Sequence, residues 1–242
     1  MKKETRNTKD EAVQRADSKS TKKWIFVGVL VAISCIGVII ILLINNSDKF
    51  QTLFPSVENN KNVYGTTEDG LYDYIRNNDT ITLTKYLGNE EEVIIPSEID
   101  GAAVTVIGNG LFSNNNSIVS VIIPNTVTEI QGGNIGGAAF CYMKKLQKVT
   151  IPESIKVIGQ YTFSGCFNLT EVLMQEGVEE IGCSAFEGCY SLKEITIPKS
   201  VKKLGSGCFC KTGVTSITIN PECEVEGDIF IFNTEGEINY YE

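Results

Sequence analysis

Residues 149–169 read VTIPESIKVIGQYTFSGCFNL, and the chain keeps returning to this order. The pattern reappears from Val172 as VLMQEGVEEIGCSAFEGCYSL and from Ile195 as ITIPKSVKKLGSGCFCKTGV, with looser copies from Val93, Val121 and Ile217. Starts at 93, 121, 149, 172, 195 and 217 are separated by 28, 28, 23, 23 and 22 residues. Both longer units are the 23-residue cell with five residues inserted, between Pro96 and Ile107 in the first and between Ile130 and Phe140 in the second. Self-similarity at this period marks a repeat architecture, and insertions that spare the apolar anchors map to loops on one flank of a solenoid.

Each position of the cell has a physical role. Val149-Thr-Ile, Val172-Leu-Met and Ile195-Thr-Ile alternate as short strands, with the first and third side chains inward and the middle one outward. Pro96, Pro124, Pro152 and Pro198 end that strand because proline cannot donate to a ladder. Ile155/Ile158, Val178/Ile181 and Val201/Leu204 are the next inward anchors. Gly108, Gly159, Gly182 and Gly205 follow at a corner that needs either positive φ or close approach. Phe112, Phe140, Phe163, Phe186 and Phe209 close the coil, and Leu146, Leu169 and Leu192 lead into the next strand. One coil cannot bury these residues alone, whereas stacking at about 4.8 Å turns them into continuous apolar ladders.

The run V-x-I-P-x-x-V-x-x-I-G-x-x-A-F-x-x-C-x-x-L resembles the BspA-type leucine-rich repeat of bacterial surface proteins. The opening unit, from Tyr86-Leu-Gly88 through Ile95-Pro96 and Asp100-Gly101 to Val104-Thr-Val-Ile-Gly108, is similar to that family's usual first repeat. The resemblance spans roughly residues 71–220. It implies a right-handed leucine-rich-repeat solenoid, β-dominated with short helical turns and a parallel sheet on one face. It also implies a surface role in adhesion to proteins or cells. The glycine-rich insertion Gln131–Gly137 departs from the pattern, and the last unit drifts after Pro221.

Ahead of the repeats the organisation changes. Residues 1–23 carry eight Lys/Arg and four Asp/Glu and lack an apolar face, which reads as a disordered cytoplasmic tail. Trp24 to Ile44 is a run of 21 residues without a charge, enough for a helix to span about 30 Å of hydrocarbon. With Lys22 and Lys23 on its N-terminal side, it is expected to be a transmembrane signal anchor with the C-terminal part outside. No small-x-small cleavage site follows it, and Cys35 is a poor lipobox candidate because nine more apolar residues come after it. Residues 45–70 read as an extracellular stalk, although Phe50, Leu53 and Phe54 suit a bilayer surface as well. Residues 71–92 carry a hairpin signature around Asn77-Asn78-Asp79 and are expected to cap the solenoid. The repeats then run over 93–220, with 221–242 as a C-terminal cap.

Composition limits the chemistry. The net charge of −9 combines +4 in residues 1–23 with −13 after residue 44, which argues against a nucleic-acid partner. Histidine is absent, which removes Ser-His-Asp and Cys-His pairs and histidine metal sites. The glycine run 132–137 lacks the Lys-Ser/Thr of a phosphate loop. Nothing in the pattern calls for a cofactor or a metal. Cys166 and Cys189 fall at one cell position and are expected to stack, either as small buried hydrophobes or as a bridge.

What remains is the outer side of the sheet. Its middle strand residues are Ile94, Ile122, Thr150, Leu173, Thr196 and Thr218, and the preceding outward residues include Glu92, Lys148, Glu171 and Glu194. The aliphatics among them are either ordinary strand formers or an adhesive row on a curved surface. The expectation is a membrane-anchored surface protein whose sheet face binds a protein or cell-surface ligand. The alternative is an envelope spacer without a specific ligand.

Overall fold

The computed structural model describes residues 62–231 and 236–242. The expected tail, anchor helix and most of the stalk lie outside the described residues. No helix among the described residues is long and apolar enough to cross a membrane.

The described part opens with β1 (Val63–Thr66), β2 (Tyr72–Asn77) and β3 (Thr80–Tyr86), an antiparallel meander. Asn78, at φ 53°, makes the tight turn between β2 and β3. β1 lies inside the stretch read as stalk and lengthens the hairpin on its outer side. The first coil supplies β4 (Glu92–Ile94), β5 (Glu98–Ile99) and β6 (Ala102–Ile107). The coils that follow give β7 (Ser120–Ile122), β8 (Glu129–Ile130), β9 (Lys148–Ile151), β10 (Val157–Ile158), β11 (Glu171–Met174) and β12 (Glu180–Ile181). The chain ends with β13 (Lys203–Leu204), β14 (Ser216–Ile219), β15 (Glu224–Val225) and β16 (Glu237–Tyr240).

The result is the expected leucine-rich-repeat β-solenoid, but with two parallel stacks where a sheet on one face was expected. The front sheet has the order β11-β9-β7-β4. The back sheet continues from the hairpin through β6, β8, β10, β12 and β13 to β15. Between them the predicted anchors form one continuous core. Val93, Val121, Val149 and Val172 line up behind the front sheet, and Ile107, Ile130, Ile158, Ile181 and Leu204 line up behind the back one. The third side is a column of rings. Phe112, Phe140, Phe163, Phe186 and Phe209 stack with centroids 5.2, 5.0, 5.4 and 5.8 Å apart. Tyr86 and Tyr72 extend the column at one end and Phe230 at the other. Backbone bonds tie this side together too, each aromatic N–H donating across to the next coil, as from Phe163 to Ala185 O at 2.8 Å.

The expectation of short helical turns needs correcting. Among the described residues these corners are single turns, with bonds such as Ser164 N–H to Tyr161 O and Cys166 N–H to Phe163 O. Left-handed residues at Tyr161 (φ 58°) and Gly165 (φ 74°) interrupt the backbone before a helix can propagate. The corner glycines work by close approach: a Cβ on Gly159 would sit 2.8 Å from Gly132 Cα.

Ile195-Thr-Ile, predicted as a front strand, is not one. The next coil runs eight residues from Phe209 to Ile217, where the preceding coils use nine between the ring and the strand. Gly213, in the shortened segment, is pressed so close that a Cβ would meet Leu192 O at 2.9 Å. β14 therefore pairs forward with β16 instead of back with residues 194–197.

Candidate binding face

The front sheet places the predicted outward residues in two rows. Glu92, Ser120, Lys148 and Glu171 are in register across β4, β7, β9 and β11, and so are Ile94, Ile122, Thr150 and Leu173. The parallel ladder sets this alignment, because alternate side chains of a strand leave on opposite sides. Val93, Val121, Val149 and Val172 face the core, while Ile94, Ile122 and Leu173 keep 72, 48 and 45% of their surface in solvent. Beside this aliphatic row, Lys148 Nζ and Glu171 Oε1 meet at 2.9 Å across neighbouring strands.

The other predicted residues fall elsewhere. Glu194 and Thr196 lie on the segment that pairs with neither neighbour, and Thr218 lies on β14, opposite Asn239 of β16. The structure thus assembles Ile94, Ile122, Lys148, Thr150, Glu171 and Leu173 into one surface and leaves Glu194, Thr196 and Thr218 around a break at its end. A cavity of about 650 Å³ occupies that break, lined by residues including Glu194, Thr196, Ser216, Thr218 and Tyr241.

A second exposed apolar feature was missed in the sequence. Phe167 and Tyr190 stack at 5.5 Å on the flank of the aromatic column, and the Tyr142 ring covers the space where a side chain on Gly165 would be. Phe167 and Tyr190 share the offset four residues after the core phenylalanine and Tyr142 stands two after its own, but the other coils carry Asn116, Lys144 and Gly213 at the first offset, so the repeat does not mark it as apolar.

The two stacked cysteines are core residues. Cys166 and Cys189 are free and fully buried, and their Sγ atoms donate to Phe140 O at 3.1 Å and Phe163 O at 3.3 Å. Burial pushes the Cys166 thiol up to about 12 and holds Cys189 well above the ordinary thiol range. Neither is a nucleophile at neutral pH. At the N-terminal cap, burial raises the Tyr86 hydroxyl, whose proton is donated to the Glu90 carboxylate, and that bond holds Glu90 below its usual range. Among the described residues no group of three or more Cys, Asp or Glu side chains is placed to hold a metal ion.

Residues 88–137 and 105–235 match the family described as "BspA type Leucine rich repeat region", in six copies. Among solved structures, a leucine-rich-repeat protein of T. pallidum is 26% identical, with 69% of this chain and 62% of that one covered and a TM-score of 0.43. A leucine-rich cell surface protein of Faecalibacterium prausnitzii is also 26% identical, over 67% of this chain and 55% of that one, with a TM-score of 0.37. The pneumococcal vaccine antigen PcpA is 18% identical over 67% and 51%, with a TM-score of 0.47. The chain therefore spans less than two thirds of the length of each of these three structures. No curated protein sequence matches it.

Proposed function

Because this chain belongs to the BspA-type leucine-rich-repeat family, whose repeats generally serve as protein-binding scaffolds, we propose that it is a surface adhesion protein. In this reading residues 24–44 anchor it in the membrane, the tail stays in the cytoplasm and the repeats face outward. The front sheet binds a protein or cell-surface ligand without transforming it. The observation that carries the reading is the register row Ile94–Ile122–Thr150–Leu173, which leaves three aliphatic side chains in solvent on a parallel sheet. Core packing does not require them there, and the adjacent pair Ile94–Ile122, with Leu173 one strand beyond Thr150, forms an exposed apolar patch of the kind that marks interaction sites.

The test uses residues 62–242, which contain the whole described core, against a panel of extracellular-matrix proteins and cell extracts. Capture should be lost in Ile122→Arg and Leu173→Arg while the circular dichroism spectrum and urea midpoint stay near wild type. Capture of nothing from the panel, or capture that both substitutions leave intact, refutes the assignment to this face.

A further inference from the structure

We infer that the break at the end of the front sheet is a slot for an extended polypeptide carrying a basic residue, which inserts as an additional strand between residues 194–197 and β14. The inference rests on the reading of this side of the solenoid as the partner-facing one, and adds the chemistry of what one place on it takes. Among the described residues, no backbone hydrogen bond joins Glu194–Ile197 to β11 on one side or to β14 on the other. β14 is paired along one edge only, to β16. Two strand-forming edges thus face each other without backbone partners, only Ile197 O being taken by a side chain, the Tyr241 hydroxyl, and a polypeptide backbone is the ligand that satisfies such edges in series.

The dimensions agree. Behind the opening the two coils remain joined, Lys203 beside Glu224 and Leu204 beside Val225, so the opening is a wedge hinged at the back sheet. Four residues of strand, at about 3.3 Å each, about 4.8 Å between strands and about 10 Å through the sheet, fill about 630 Å³. The cavity measures about 650 Å³. One end is pinned, since the Tyr241 hydroxyl donates to Ile197 O at 2.7 Å and Lys199 Nζ lies 4.8 Å from the centre of the Tyr241 ring. The floor is apolar, with Ile195 only half-buried and Ile197, Ile217 and Ile219 behind it. The rim carries Lys193, Glu194 and Thr196 on one bank and Ser216 and Thr218 on the other, with Glu237 behind Ser216 on β16. An inserted strand that alternates apolar and hydroxyl residues fits this lining, and a Lys or Arg aligned with Glu194 has that carboxylate on the neighbouring strand, with Glu237 two strands away across β14.

The probe is the peptide Ac-Lys-Val-Thr-Val-NH2, added to the full chain in mild detergent and followed by amide hydrogen exchange. In the free protein, amides 194–197 should exchange faster than those of the paired strand Lys148–Ile151, and the peptide should slow them. An analogue N-methylated at both valines, whose amides point to the same edge, should bind at least about tenfold more weakly, since it cannot donate along that edge. Glu194→Lys should weaken the lysine peptide and strengthen one with Glu in its place. Ile122→Arg should leave peptide binding unchanged. Slow exchange at 194–197 in the free protein overturns the slot. So does equal affinity of the methylated analogue, indifference to Glu194→Lys, or no protection at the highest soluble peptide concentration. If the slot fails by these criteria while Ile122→Arg still abolishes capture from the panel, the face reading survives it. If peptide binds while capture ignores the face substitutions, the face reading fails.

Discussion

Phe163→Ala tests whether the ring column holds the coils together. Phe163 is fully buried between Phe140 and Phe186, with centroids 5.0 and 5.4 Å away. Truncating a buried phenylalanine costs about 3–5 kcal/mol, a range that includes the cavity left behind. The two stacked pairs, each about 0.5–1.5 kcal/mol, place this site toward the upper end. Phe230→Ala is the control, because among the described residues Phe230 ends the column with one tilted ring neighbour at 6.1 Å and retains 7% exposure. Its loss should be about half as large. Solenoid stability is a sum of coil terms and nearest-neighbour interfaces, so damage at a central coil should also uncouple the coils on either side. Urea unfolding of residues 62–242 followed by circular dichroism reads both effects, as a lower midpoint and a shallower slope for Phe163→Ala. A loss under about 2 kcal/mol, or equal losses at the two positions, refutes the reasoning.

Three further outcomes are expected. With its thiol pushed up to about 12, Cys166 is thiolate in about one molecule in ten thousand at pH 8, so iodoacetamide should leave it and Cys189 unmodified in the native protein and alkylate both in urea; native labelling at the unfolded rate contradicts their burial. Gly159→Ala should destabilise by about 1–3 kcal/mol, because its Cβ meets backbone of the neighbouring coil at 2.8 Å and no side chain can yield; an unchanged urea midpoint contradicts the close approach. Protease added to intact cells should remove the repeats and leave a fragment carrying the N-terminal tail; full protection reverses the proposed topology.

Much of the fold is legible because the cell repeats the same physical demand. Val149, Pro152, Ile158, Gly159 and Phe163 recur in order, and each recurrence removes an alternative role for the residue, so the inward and outward sets of the first four coils can be read directly. The break at 194–197 is not legible that way. Ile195-Thr-Ile has the local pattern of a strand, and only the coil after it, one residue short, denies it a partner. Pairing is a property of two segments, and a pattern read along one segment does not contain it. β1 and β16 escaped for a related reason: they are mostly exposed, carry little apolar alternation and exist because a neighbouring edge is free. For the binding face, the rows follow from strand alternation, but which members stay together depends on where the sheet stops.

The most direct test of the central claim compares the two sides of the solenoid on living cells. A benzoylphenylalanine photo-cross-linker in place of Ile122, 48% exposed on the front sheet, is set against the same group in place of Val157, 45% exposed on the back sheet. The account predicts a discrete cross-linked partner from position 122 and none from position 157. Equal adducts from both positions, or adducts from position 157 alone, contradict it.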